Sequence, residues 1–394
     1  MKVGIITHYY DSTNFGGNLQ AYALCTYLNS LGISSEQISL NFRAHPDDTP
    51  VSSTKRTLLQ KIFSKRFFPI LISKIHRRFR KMWESRQEKR HGISRRRRDA
   101  FENFNKAQIP HSERVYDKYT VSECVDDYDA FITGSDQVWN LSYYLGAFFL
   151  SFVPSDKKKL SYAASISMKS LSDRQKEIFK KHLSDFSAIS VREKSAIDLI
   201  NDLTDVDVKD VLDPVFLLDS TEWDKAASER IIEGDYVFCY FLGEEKKLRK
   251  LAERFAKEKG LRLVTVPHAG GWLKPVDSKF GDIKLYDASP NDFISLIKHA
   301  KYVLTDSFHA VVFSHIYQKQ FFVFNRSADG SMSSRIIDVT KMLGCEDRYC
   351  REKQNLCVEH LSSLPDIDYT ESIPEFEAQR QKSIAFLKNS LEIN

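Results

Sequence analysis

Short apolar runs alternate with amphipathic helical segments along this chain, and the alternation occurs twice. That pattern restricts the fold more than any other feature. In the first half, strands are predicted at Val3–Thr7, Gln37–Asn41, Asp129–Thr133, Lys159–Ala164 and Ala188–Val191, with helices at Leu19–Leu31, Asp173–His182 and Glu193–Ile200. Asp213-Pro214 then breaks the pattern, because Pro restricts its predecessor and favours a boundary. The second half repeats it with strands at Tyr236–Leu242, Leu261–Val266, Tyr302–Thr305 and Gln320–Phe324. Its helices fall at Glu244–Lys259, ended by Gly260, and at Asn291–His299, Phe308–Tyr317 and Arg335–Leu343, the last capped from Ser333-Ser334, with one more from Pro374 onward. This is the pattern of an α/β chain with parallel sheets. It predicts two facing Rossmann-like domains, 1–218 and 219–394, the second ending in the terminal helix.

At 394 residues the chain is long enough for two domains or three, and 42% hydrophobic content is ample for packed cores. No apolar run approaches the roughly 18 residues needed to span a bilayer. Met1–Ile6 reads straight into a strand, without the apolar core and cleavage site of a signal peptide. A cytoplasmic chain is therefore expected. Its six cysteines contain no CxxC pair, and Cys345, Cys350 and Cys357 are spaced too widely for a zinc site, so no metal is expected.

The formal charge of +5 conceals an asymmetry. Between Lys55 and Arg98 stand 17 Lys and Arg against only Glu84 and Glu88, a local +15 that leaves −10 for the rest. Leu58/Leu59/Ile62/Phe63 and Ile72/Ile75/Phe79/Met82/Trp83 keep helical spacing inside this block, and Pro69 separates them. Basic amphipathic helices carrying aromatics suit an anionic membrane surface, which would make the chain peripheral on the inner face of the plasma membrane. A solvated basic face packed on its own domain is the plainer reading. Nucleic acid is not expected, because no recognised binding motif accompanies the charge.

In doubly wound sheets, ligands lie beyond the carboxyl ends of the strands, where helix N-termini offer free amides. Four loops qualify. Asn14-Phe15-Gly16-Gly17-Asn18-Leu19-Gln20 permits close backbone approach to an anion or a sugar oxygen, or forms a tight structural turn. Gly134-Ser135-Asp136-Gln137-Val138-Trp139-Asn140 offers Asp136 as a proton acceptor and Trp139 as a stacking ring, or else a helix cap and a core indole. Arg192 leaves a strand where an anion clamp would stand, and Glu193 either orients it or serves the helix dipole. In Thr305-Asp306-Ser307-Phe308-His309-Ala310, His309 falls in the first turn after a buried strand, a good place for acid–base chemistry. His8 and His268 are secondary candidates, and His315 is expected to be packing.

Taken together and in order, these segments resemble the polysaccharide pyruvyl transferase family. The matching pieces are Asn14–Ala21, Gly134–Asn140, Ser190-Val191-Arg192-Glu193 followed by Asp213-Pro214, Thr305–His309, and the Arg-bearing Ser333-Ser334-Arg335-Ile336. The resemblance implies a glycosyltransferase-B-like fold. It also implies transfer of a pyruvyl group from phosphoenolpyruvate to a sugar, closing a cyclic ketal, with no cofactor beyond that donor. The acceptor would be a cell-surface glycan or its lipid-linked precursor, undecaprenyl-linked forms included. On this reading His309 is the general acid/base, and Asp136 and Glu193 are bases or orienters. Arg192, Arg335, Ser307 and Asp306 bind the donor, while Asn14, Gly16, Gly17, Gln20 and Trp139 line the acceptor side. The sequence departs at Ser307, where some members carry Arg. Two other readings share these features: a nucleotide-sugar glycosyltransferase on the same fold, and a non-catalytic assembly protein docked on a membrane through the basic block.

Overall fold

The fold was obtained as a computed structural model, which describes residues 1–42, 82, 92–141, 145–168, 170–267, 273–326, 333–351, 355–370 and 373–393. The amphipathic pair expected within 58–83 lies outside the described residues, apart from Met82.

Two parallel sheets form the frame. The first has seven strands, β1 (Lys2–Ile6), β2 (Ser34–Leu40), β3 (His111–Tyr116), β4 (Ala130–Thr133), β5 (Lys158–Ala164), β6 (Ala188–Val191) and β7 (Val208–Asp210), in the order β3-β2-β1-β4-β5-β6-β7. The second contains β8 (Tyr236–Tyr240), β9 (Arg262–Thr265), β10 (Ile283–Lys284), β11 (Tyr302–Thr305), β12 (Gln320–Phe324) and β13 (Tyr349–Cys350), in the order β10-β9-β8-β11-β12-β13. Both share the Rossmann order, in which the strand sequence reverses beside the first strand and opens a ligand crevice there. The central strands read as unbroken apolar runs because helices cover both faces. The two predicted Rossmann-like domains are therefore present.

Helix α1 (Phe15–Ser30) is buried on nearly every side, because it lies between its own sheet and the second domain. Its first residue, Phe15, stacks on Phe293 with centroids 4.4 Å apart, and Tyr240 meets it edge-on at 5.6 Å. Tyr22 packs on Trp223 at 5.4 Å. The domains thus share one apolar core along α1 rather than touching only through a linker.

Two expectations change here. The terminal helix (Pro374–Ser390) does not complete the second domain. Leu387 and Leu391 bury themselves against Val3, Ile5, Leu160 and Tyr162 of the first sheet, and the Ser383 hydroxyl accepts from the Leu212 amide at 2.8 Å. The chain therefore crosses between domains twice. Nor does the basic block stay wholly at the surface: in α2 (Ile93–Gln108), Arg97 turns inward and lays its guanidinium 4.8 Å from the Phe15 ring centre and 5.3 Å from that of Phe101. Its neighbour Arg96 reaches Asp287 of the second domain at 3.3 Å.

Among the described residues no helix is long and apolar enough to cross a membrane, and no cluster of three metal-ligating side chains occurs.

Candidate active site

The two crevices face each other, and the four motif loops meet between them. Asn14 precedes α1 and caps it, its Oδ1 accepting from the amides of Gly16 at 3.0 Å and Gly17 at 3.5 Å. The two glycines therefore form the first helical turn, and the helix begins four residues before Leu19. The same cap occupies the amides that the Gly-Gly pair was expected to offer a ligand. Gly16 has another use. A Cβ there would lie 2.0 Å from His309 Nδ1 and 2.2 Å from His309 Cε1, so a bare Cα is what admits the ring from the second domain. Gly17 backs onto the His8 carbonyl, with Asp136 Oδ2 3.7 Å from where its Cβ would stand.

Gln20 is fully buried and lines no open face. Its Nε2 donates to Thr7 Oγ1 at 2.9 Å and to the Gly17 carbonyl at 2.8 Å, while Oε1 accepts from the Ser135 amide at 2.9 Å. It ties α1 to the loop that carries Asp136. Trp139 is likewise no stacking platform. Its indole is wholly buried, lies parallel to Phe149 at 5.7 Å and donates from Nε1 to the Phe148 carbonyl at 3.1 Å. An apolar ring with a satisfied N–H gains more from the core than from a wet cleft.

Charge concentrates on Arg192, which emerges from β6 with its side chain 3% exposed and its guanidinium 5.0 Å from the Phe308 ring centre. Nη1 donates to Asp213 Oδ2 at 2.7 Å, Nη2 lies 3.7 Å from Asp136 Oδ1, and Nε lies 3.7 Å from Glu193 Oε1. Nε and Nη2 are buried without a hydrogen bond. Glu193 Oε1 also accepts from the Ser165 hydroxyl, and its Oε2 is buried without a donor. Burial would raise Asp213, but the His309 ring and the Arg192 guanidinium outweigh it and hold the carboxyl well below its usual range. Burial likewise opposes the ionised form of Asp136, and Arg192, His309, His8 and Arg335 keep it low. For Arg192, the three carboxylates more than reverse the burial that would lower it.

Asp213 is the residue that sequence reasoning missed as a functional one. Asp-Pro is a sequence signal for a boundary, and here the acid does cap the turn Pro214–Leu217, with Oδ1 accepting from Val215 N at 3.1 Å. Its other oxygen lies 3.6 Å from His309 Nε2 and accepts from Ser135 Oγ at 3.4 Å. One carboxylate on the interdomain linker thus touches the site's arginine and its histidine.

On the second domain's side, Asp306 does not face the cleft. Its oxygens accept from the amides of Leu242 at 2.6 Å and Gly243 at 2.7 Å, tying the loop after β8 to β11. Asp306→Ala leaves those amides without acceptors and is expected to lower stability by about 1–3 kcal/mol, measurable by chemical denaturation. Ser307 is buried, its amide donating to Thr305 Oγ1 at 3.0 Å as α3 (Phe308–Ile316) begins. Two cations stand close to it: Arg326, after β12, and Arg335, in α4 (Ser333–Met342), line one small crevice with Asp306 and Phe308. Arg326 escaped the motif reading because it belongs to none of the four loops.

Arg335 also lines a cavity of 380 Å³ with Arg192, Glu193, Asp213 and Phe308. Burial, and then Arg192, push Arg335 down to about 10, so it remains a cation at neutral pH. No hydrogen bond or ion pair of Arg335 is found among the described residues. Of the secondary histidines, His8 adjoins Asp136, and its Nε2 is 3.3 Å from the Gln137 carbonyl oxygen. His315 packs among Phe216, Tyr369 and Phe376, and burial pushes it down to about 4. His268 lies outside the described residues.

The arrangement brings together a cation that makes no hydrogen bond or ion pair among the described residues, a buried arginine among three carboxylates, and a histidine inserted against a helix N-terminus, groups whose chemistry suits holding an anion and moving a proton. Solved structures share its frame. A UDP-GlcNAc 2-epimerase from Methanocaldococcus jannaschii superposes with a TM-score of 0.54 at 12% identity, covering 99% of this chain and 100% of that one. The complex of the Methanocaldococcus jannaschii epimerase with UDP-GlcNAc and UDP gives 0.50 at 10% identity, with 99% and 100% covered. At such identities the likeness shows the fold alone, which is of the glycosyltransferase-B type. No curated protein matches the chain. The sequence model described as polysaccharide pyruvyl transferase matches residues 14–328, spanning the capped glycines, the Asp136 loop, Arg192, Asp213 and His309, and the chain belongs to that family.

Proposed function

We propose that this chain transfers a pyruvyl group from phosphoenolpyruvate to a sugar of a cell-surface glycan or its lipid-linked precursor, forming a cyclic ketal. The observation that supports the donor is Arg335: a cation that makes no hydrogen bond or ion pair among the described residues, on a cavity shared with Arg192. Phosphoenolpyruvate presents a carboxylate and a phosphate, and two guanidinium groups meet such a ligand better than an apolar slot does. Arg192 keeps Nη1 on Asp213 and has Nε and Nη2 left to give.

The chemistry needs two protons removed from the sugar hydroxyls and two delivered, one to the methylene carbon and one to the departing phosphate. His309 protonates the methylene carbon, and positive character develops at the adjacent carbon. A sugar hydroxyl attacks there, phosphate departs with the enol oxygen, and a second hydroxyl closes the ketal. The two hydroxyl protons balance the one added to carbon and the one that leaves on hydrogen phosphate. Asp136, held ionised, and the unpartnered Oε2 of Glu193 are the acceptors for the hydroxyl protons. The 55–98 block is the segment whose composition suits an anionic lipid surface, which would bring a peripheral enzyme to a lipid-linked acceptor.

Thermal-shift titration with phosphoenolpyruvate tests the donor. A saturable rise is expected, with the apparent affinity at least tenfold weaker in Arg335→Ala; the unliganded variant should still unfold cooperatively, because Arg335 makes no hydrogen bond or ion pair among the described residues. No shift with phosphoenolpyruvate and a clear one with a nucleotide sugar would replace this reading with a glycosyltransferase.

A further inference from the structure

We propose that Asp213 is a positioning residue that sets the tautomer of His309, holding Nε2 protonated and presenting Nδ1 to the cleft beside Gly16. This deepens the reading above by naming the reacting nitrogen, and only its catalytic consequence rests on that reading.

The geometry separates the two ring nitrogens. Nε2 is buried without a hydrogen bond, and the Asp213 Oδ2 carboxylate oxygen lies 3.6 Å from it. Nδ1 stands over the Gly16 Cα and is absent from the buried, unpartnered polar atoms. A carboxylate only accepts, so a neutral imidazole facing it is stabilised with its proton on the near nitrogen. The far nitrogen then carries the lone pair, or the transferable proton once the ring is charged. The 3.6 Å separation is long for a hydrogen bond, as unliganded acid–base pairs often are.

The acid is fixed for this task. It is fully buried, its Oδ1 is held by the Val215 amide, and its Oδ2 is anchored by Arg192 Nη1 at 2.7 Å. The charged groups facing His309 are this carboxylate from the linker, Arg192 after β6 and Asp136 after β4. Because Asp213 belongs to the linker, the tautomer is coupled to how the domains meet.

The test is long-range proton–nitrogen correlation NMR on the whole chain labelled at histidine nitrogens, with His309 assigned by its loss in His309→Asn. At a pH where the ring is neutral, wild type should show Nε2 protonated and Nδ1 bare. Asp213→Ala, which removes the acceptor that faces Nε2, should raise the fraction of rings protonated on Nδ1. In serine proteases the same loss of an orienting acid costs about 10⁴-fold in turnover, and a fall of that order is expected here. A wild-type ring protonated on Nδ1 overturns the proposal whether or not the variant folds. An Asp213→Ala ring whose Nδ1-protonated fraction equals that of wild type overturns it too. No substrate enters these spectra, so their failure leaves the pyruvyl reading standing. Failure of phosphoenolpyruvate to bind likewise leaves the tautomer assignment standing.

Discussion

Arg192→Met should cost about 3–5 kcal/mol of stability at neutral pH, because removing one partner of a buried ion cluster leaves uncompensated charge in a low-dielectric site. Asp136, Glu193 and Asp213 all lie within 4 Å of this guanidinium, at 3.7, 3.7 and 2.7 Å, and methionine keeps the stem while discarding the charge. The pH dependence has a definite sign. In wild type, Asp213 and Asp136 titrate below their unfolded values, so their contribution is present above the usual carboxylate range, about pH 4, and is lost only as pH falls through the depressed folded values. In the variant the Arg192 charge no longer helps His309 to offset burial, so the folded carboxyls move up from their depressed values. The penalty is then largest at neutral pH and is relieved as pH falls and the acids protonate. Denaturation at pH 7.5 and pH 5.5 should therefore show the gap between variant and wild type narrowing on acidification. A gap that is constant or widens with acid would mean that Arg192 stabilises through its packing on Phe308 rather than through its charge.

The legibility of this chain in its sequence divides along a physical line. Contacts within a strand or a helical turn follow from local pattern: β6 at Ala188–Val191, β11 at Tyr302–Thr305 and β12 at Gln320–Phe324 have the ends their apolar runs predict. β3 and β7 do not, because His111–Tyr116 is largely polar and Val208–Asp210 is three residues long. Gly16-Gly17 has the composition of a turn, and only the Asn14 cap and the incoming His309 ring explain two glycines at the start of a helix. The motif loops all reached the cleft, but residues within one motif divided their tasks. Asp136, Glu193 and His309 face the site, whereas Gln20, Trp139 and Asp306 hold the loops in place. Those two roles need the same polar and aromatic types, and what separates them is the direction of a side chain across more than a hundred residues of sequence. Asp213 shows the same limit in reverse, since a boundary signal and a functional carboxylate coincide in one residue.

Gly16→Ala separates function from stability more sharply than any other single change here. Gly16 is not among the positive-φ glycines, so its backbone suits alanine, and alanine in place of glycine in a helix is worth up to about 1 kcal/mol. The three atoms closest to the added methyl, at 2.0, 2.2 and 2.7 Å, all belong to the His309 ring. The methyl can fit only if that ring tilts or withdraws, which moves Nδ1 by about the methyl's own radius. Misplacing a reacting group by about 1 Å costs on the order of 10²-fold in rate, so transfer should fall at least that far. The crowding itself costs about 1–3 kcal/mol and is partly offset by the helix gain, which leaves a net destabilisation of no more than about 2 kcal/mol. The decisive comparison is made in His309→Ala. With the ring gone the clash disappears, and adding Gly16→Ala should raise the thermal midpoint above that of His309→Ala alone. If the double variant is instead less stable than His309→Ala, the glycine serves the helix or another neighbour. If Gly16→Ala keeps wild-type transfer, His309 does not act from this position against the first turn of α1.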